Sequence, residues 1–276
     1  MQTKVILSRK GFDSSNGGIP SPIMPDGTLL SMPIMDSSGI PFSNIAWNGM
    51  TYADILKQLK PDKTYINCHV DPDIRENRVK PVKGWKPAFG QCQAAEGQLR
   101  NAKVEAGDIF LFFGWFRRVE EIAAGYRFVK RSENDFYSGN DLQVIYGYMQ
   151  VGRKLTDQEQ IRKYYWHPHS SDVHTGLVNN VLYLPTDKLS IAPKLKGYGT
   201  LDYRLDRVLT MEGKGRATWN DYGFLRPEHV YGHKKNSAKD CGLYYAGQWQ
   251  ELIIYESDGL LDWVKRIVSE ECAEHH

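Results

Sequence analysis

An α+β fold with a mainly antiparallel β core and flanking helices is the class this sequence predicts, on three observations. Residues 109–116, IFLFFGWF, form an unbroken apolar and aromatic run introduced by Gly107-Asp108, which suits a strand covered on both faces. Residues 141–151, DLQVIYGYMQV, alternate and would extend the same sheet. Helical periodicity is confined to 51–59, stopped by Pro61, to 90–99, and to 259–268, where Leu260, Leu261, Val264, Ile267 and Val268 share one face.

The other elements follow along the chain. Residues 4–9 read as a buried strand, ending in the glycine- and hydroxyl-rich loop GFDSSNGG. Five prolines between 19 and 42 make that segment extended and helix-free, with Asp26-Gly27 as a hairpin turn. Residues 65–70 lead as a strand into Asp71-Pro72-Asp73, and 180–184 and 252–255 are further strands. No repeat, low-complexity tract or linker interrupts the chain, so a single domain over residues 1–276 is expected.

Composition narrows the function classes. With 41% hydrophobic and 25% charged residues the chain is not a disordered one. Apolar runs fall short of the ~18 residues a membrane helix needs, and Val5-Ile6-Leu7 is too short for a signal-peptide core. Cys68, Cys92, Cys241 and Cys272 make no CxxC pair, so free thiols and a cytoplasmic location are expected. A net charge of +2 excludes a global polycation. Basic residues do cluster locally, at Arg75, Arg78, Lys80, Lys83 and Lys86 and at His233, Lys234, Lys235 and Lys239, and Trp85, Trp115 and Trp219 each have a cation close by in sequence. Stacking aromatics beside phosphate-neutralising groups are what base recognition uses, although large aromatics also simply fill β-rich cores.

Three constellations carry chemistry. In His69-x-Asp71 a strand would aim an imidazole and a carboxylate at one spot. With a distal histidine, for which His167, His169 and His174 are available, they would form a two-histidine, one-carboxylate face for Fe(II). An iron oxygenase would also want a later arginine for its co-substrate, for which Arg204 and Arg207 are available. Alternatively, Asp71 and Asp73 flank a proline and would hold Mg²⁺ through oxygen ligands. The second constellation is the loop after the first strand, where Arg9 would clamp an anion and Asp13 act as a base; Arg9, Asp13 and Asp73 are the expected catalytic groups. The third is Lys214, Arg216 and Trp219, a glycine-flanked cation pair before a tryptophan, expected to contact nucleic acid. No GxSxG elbow, phosphate loop or GxGxxG fingerprint is present.

Several stretches together resemble the nucleotide-modification-associated domain 3 family. They are Val5-Ile6-Leu7-Ser8-Arg9 with Gly11-Phe12-Asp13-Ser14-Ser15, Gly17-Gly18 and Asp26-Gly27; His69-Val70-Asp71-Pro72-Asp73; residues 107–113; Tyr146-Gly147-Tyr148; and, more loosely, His167-Pro168-His169, Gly215-Arg216-Ala217-Thr218-Trp219 and Gly247-Gln248. The resemblance implies a part in DNA base hypermodification in phage and bacterial systems, a DNA or nucleotide substrate and other components of a modification system as partners. Among the distal histidines His169 best matches the resemblance, and it joins His69 and Asp71 in the expected metal set. The Gly-Asp strand followed by the strand around Gly147-Tyr148 is also similar to the barrel core of the PUA and EVE superfamily. That likeness implies the alternative of a non-catalytic module reading a modified base, which a small aromatic-lined barrel can accept once flipped.

Overall fold

The computed structural model describes residues 2–132, 134–226, 229–231, 238–239, 242–245, 250–255 and 257–269. Its principal strands are β1 (Val5–Arg9), β2 (Ser21–Ile23), β3 (Ile34–Pro41), β4 (Asn67–His69), β5 (Phe89–Gln91), β6 (Ile109–Ile122), β7 (Gly125–Phe128), β8 (Leu142–Leu155), β9 (Val181–Pro185), β10 (Tyr198–Thr200) and β11 (Glu251–Ile254). The longer helices are α1 (Tyr52–Leu59), α2 (Gln93–Asn101) and α3 (Leu260–Val268). The basic run at His233, Lys234 and Lys235, the cysteines Cys241 and Cys272, and Gly247-Gln248 lie outside the described residues.

Nine strands make one sheet along the path β11-β1-β6-β8-β9-β5, with β2 and β7 also on β6 and β10 on β8. It curls as a half-barrel, so the class is the expected α+β with a strand-rich core. The pairings are mainly antiparallel, except that β1 and β2 both run parallel to β6. Both occupy the edge of β6 opposite β8: Phe113 pairs with Arg9 and Ile145, and Phe116 with Ser21 and Leu142. The chain between β1 and β2 therefore departs from and rejoins the same edge, and its excursion forms the glycine-rich loop.

Residues 109–113 are wholly buried, as the continuous apolar run requires, because the sheet is covered on both sides. Val5, Leu7, Leu111 and Phe113 face a core completed by Trp219, Tyr245 and the apolar stripe of α3. Ile6, Phe110, Phe112 and Phe116 face another, with Phe89, Tyr183 and Leu99 of α2. In β8 the register shifts between Ile145 and Gly147. Leu142, Val144 and Tyr146 before the bulge and Met149 and Val151 after it consequently face the same core. A third core, from Phe12 to Val70, gathers around α1, which begins as predicted on Thr51, whose side chain forms a reciprocal capping box with Asp54. Among the described residues no helix is long and apolar enough to cross a membrane.

Candidate functional site

Three imidazoles meet where β4, β5 and the segment after α2 and β8 come together. His69 is the last residue of β4; His169 sits in a 3₁₀ turn, Pro168–Ser170; His174 lies in the short helix Asp172–Thr175. One ligand nitrogen from each lies within 4.8 Å of the others. Ring centroids are 5.4 Å apart for His69 and His169, 5.1 Å for His69 and His174, and 4.7 Å for His169 and His174. His169 can reach this point because Gly90 of β5 has no side chain: a Cβ there would stand 2.2 Å from the His169 ring.

Each ring is oriented through its Nδ1. His69 Nδ1 donates to Asp36 Oδ2 at 3.1 Å, and Asp36 is itself fixed by the backbone N–H and hydroxyl of Ser38. His169 Nδ1 lies 2.7 Å from Asn180 Oδ1. The Asn180 amide nitrogen donates to Gln158 Oε1 and to the His169 carbonyl, so its oxygen must accept and His169 must carry the proton on Nδ1. His174 Nδ1 shares a hydrogen bond with Ser171 Oγ at 3.0 Å. In His69 and His169 Nε2 is therefore the nitrogen left for a ligand, and it is the nitrogen of His174 that Ser171 leaves unengaged. Burial pushes the His169 pKa down to about 3, with His167 and His69 adding to the effect against an opposing Asp71. Burial also lowers His174. Both are neutral at pH 7, the form a metal needs.

Asp71 stands outside this trio. Period two ends with β4 at His69, and the chain then turns, so the Asp71 carboxylate is delivered elsewhere. Its Oδ1 accepts from the backbone N–H of Gly90 at 2.8 Å and lies 3.3 Å from His167 Nε2. His167 caps its turn, Nδ1 accepting from the His169 N–H, which leaves the proton on Nε2, facing Asp71. Burial alone would raise Asp71; His167, His169 and Lys10 outweigh it and hold the carboxyl well below the usual range. Of the expected His69, Asp71 and His169, the two histidines come together with His174 beside them, and Asp71 lies outside the group.

Asp73 is a structural carboxylate. Arg78 grips both of its oxygens, at 2.6 and 2.7 Å, and Trp85 Nε1 donates to Oδ2 at 3.1 Å. The Asp71-Pro72-Asp73 turn therefore presents no free carboxylate pair for Mg²⁺, and Arg78 and Trp85 are spent inside the fold rather than on phosphate and base. Arg204 and Arg207 likewise bind the end of α3, through the carbonyls of Ser269 and Ile267.

A second buried polar group adjoins Asp71, and sequence reading missed it. Ser8 Oγ, Lys10 Nζ and Gln91 Nε2 all converge on Glu251 Oε1, at 3.0, 3.3 and 2.6 Å. Burial raises the pKa of Glu251. Lys10 lies 4.5 Å over the ring of Phe89. With 241 residues between Lys10 and Glu251, no local pattern could have joined them.

Arg9 and Asp13 sit apart from the histidines, in a cavity of about 320 Å³ that Arg216 shares. Two constellations that the sequence keeps separate are here one wall. Arg216 stacks 4.0 Å over Trp115 and donates to Ser14 Oγ at 2.5 Å. Asp13 Oδ1 is occupied by Ser15 and the N–H of Asn16. Trp219 is no base platform: it is fully buried, stacked on Tyr245 at 4.6 Å and edge-on to Phe113. Lys214 is exposed on its turn.

No curated protein and no solved structure matches the chain. Residues 4–255 do match the model of the family described as nucleotide modification associated domain 3, a span that takes in the histidine trio, Asp71, His167, Lys10, Glu251 and both arginines of the cavity. The chain belongs to the nucleotide modification associated domain 3 family.

Proposed function

We propose that the protein is a metal-dependent enzyme modifying a nucleobase of DNA, with a divalent transition-metal ion held by His69, His169 and His174. The observation that carries this is the trio of rings, each locked through Nδ1 by a partner, since metal-binding histidines characteristically donate their other nitrogen to a carboxylate, amide or hydroxyl. A tetrahedral ion ~2.1 Å from each nitrogen needs donors ~3.4 Å apart, so the rings have to close by roughly 1 Å from their present spacing. Three nitrogen donors suit zinc or iron better than oxygen-seeking Mg²⁺, and a three-protein-ligand site keeps a position open for water or substrate. Such an ion would polarise a substrate oxygen or activate a bound water. Asp71 and His167, which face each other at 3.3 Å beside the trio, are placed to hold and pass a proton beside it. Membership of a nucleotide-modification family supports a nucleotide or nucleic-acid substrate.

The test is metal content of the purified protein by mass spectrometry, for the wild type and for H69A, H169A, H174A and D71N. Stoichiometric metal lost in each histidine variant and retained in D71N is the expected result. Loss in D71N with retention in H174A would restore the two-histidine, one-carboxylate arrangement. A metal-free wild type that still binds modified DNA would overturn the enzyme reading in favour of a base reader.

A further inference from the structure

The cavity of Arg9 and Arg216 is chemically unlike the histidine centre, and the proposed metal chemistry makes no use of it. Its charge is unbalanced. Arg9 and Arg216 line it with Asp13 as the acidic group, and Asp13 reaches Arg9 only at 3.7 Å while its other oxygen is taken by the loop. The loop is held in shape from below: Gly17, at φ +95°, lets the Phe12 ring lie where a Cβ would be, and Lys63 and Tyr65 both donate to the Gly17 carbonyl. Surplus positive charge, from Arg9 at the end of β1 and from Arg216 across the cavity, beside a loop held in shape, makes an anion site.

The floor of the cavity carries an independent signal. Gln143 on β8 and Trp115 on β6 are direct cross-strand neighbours, and both line the cavity. Gln143 is only 6% exposed, yet its Oε1 has no hydrogen-bond partner, and the buried indole Nε1 of Trp115 has none either. An unmet acceptor and an unmet donor on residues paired directly across two strands are costly unless a ligand completes them. Together they complement a planar edge carrying a donor next to an acceptor, the pattern each nucleobase presents. Arg216, flattened on Trp115, offers its outer face as a stacking plane. At about 320 Å³ the cavity is at the small end of ligand clefts (~300–1,000 Å³), room for one nucleotide unit and not for a duplex.

The geometry points to a nucleoside 5′-monophosphate unit as the occupant, its phosphate between Arg9 and Arg216 and its base edge against Gln143 and Trp115. This is a nucleotide site separate from the metal centre, and it stands whether or not a metal is bound.

Isothermal titration of the full chain with dAMP, dCMP, dGMP, dTMP, inorganic phosphate and the matching nucleosides tests it. At least one monophosphate should bind ~10-fold or more tightly than phosphate or its own nucleoside. R216Q and R9Q should each weaken it by ~10-fold, and Q143E, which keeps the side-chain shape and adds charge, by a similar factor. Binding should survive chelation and H69A. Equal affinity for phosphate and monophosphates would reduce the site to an anion clamp and overturn the base contact. No binding, or binding untouched by all three variants, would overturn the site. Binding lost on chelation would place the nucleotide at the metal instead.

Discussion

Arg9 and Lys10 leave β1 as neighbours, and one cation ends half-buried in an anion-sized cleft while the other is sealed over Phe89 with Glu251 as partner. The strand's alternation sends them to different faces of the sheet. What separates their fates is solvent. A lysine 7% exposed must find its counter-charge within the fold, and Glu251 supplies it from β11. An arginine in contact with water can remain underpaired, and that leaves it available to a ligand. The same contrast divides the two candidate sites: imidazoles drawn in from solvent and held by partners within the fold on one side, surplus cations beside unmet base-edge partners on the other.

The largest expected effect breaks this comparison at its sharpest point. Lys10→Met should destabilise the protein by about 3–5 kcal/mol in urea unfolding, because it leaves Glu251 buried without its cation. Arg9→Ala should change stability by less than about 1 kcal/mol. Equal losses would mean that Arg9 is as structural as Lys10. Next, Asp36→Asn removes the carboxylate behind His69 and should lower metal affinity about 10–100-fold in a chelator competition, without touching nucleotide binding.

A third prediction concerns acid. His169 is neutral in the fold down to about 3, whereas in the unfolded chain it protonates near 6.5. Between those values the unfolded state binds more protons, so the stability of metal-free protein falls as pH drops through this window. By pH 5 the loss should be about 2 kcal/mol. Denaturant midpoints that stay flat from pH 7 to 5 in wild type, or fall equally in His169→Gln, would remove this account. The smallest effect is that of Ser14→Ala, which releases one donor of Arg216: stability should move by less than about 0.5 kcal/mol, and monophosphate affinity only a few-fold.

Elements with strong local signals were legible in the sequence. The run at 109–113 could only be a doubly covered strand, the apolar spacing over 51–59 with its stop at Pro61 announced α1, and the stripe from Leu260 to Val268 announced α3. The site was legible only where local rules persisted. His69 and His169 were singled out together and do lie together, but Asp71 falls one turn past the end of β4, where alternation no longer applies. His174 was offered by the sequence only behind His169, and the short helix after Ser171 is what brings it to the other two rings. Trp219 carries the right neighbours for a base platform and is packed on Tyr245 instead, a choice made by residues far away in the chain. Glu251 gave no signal at all, since a lone acid before an apolar strand reads as an edge.

The excursion between β1 and β2 has a consequence for how the molecule can change. Because both strands are stitched to one edge of β6, with Arg9 opposite Phe113 and Ser21 opposite Phe116, the ladder closes on either side of the loop without help from the residues within it. The interval works as a cassette. Its exposed tip, Ser14 and Ser15, can be exchanged while Lys10, Phe12 and the flanking register stay pinned, so descendants of this fold, or an engineer, can retune what the arginine cleft accepts without rebuilding the sheet that carries it.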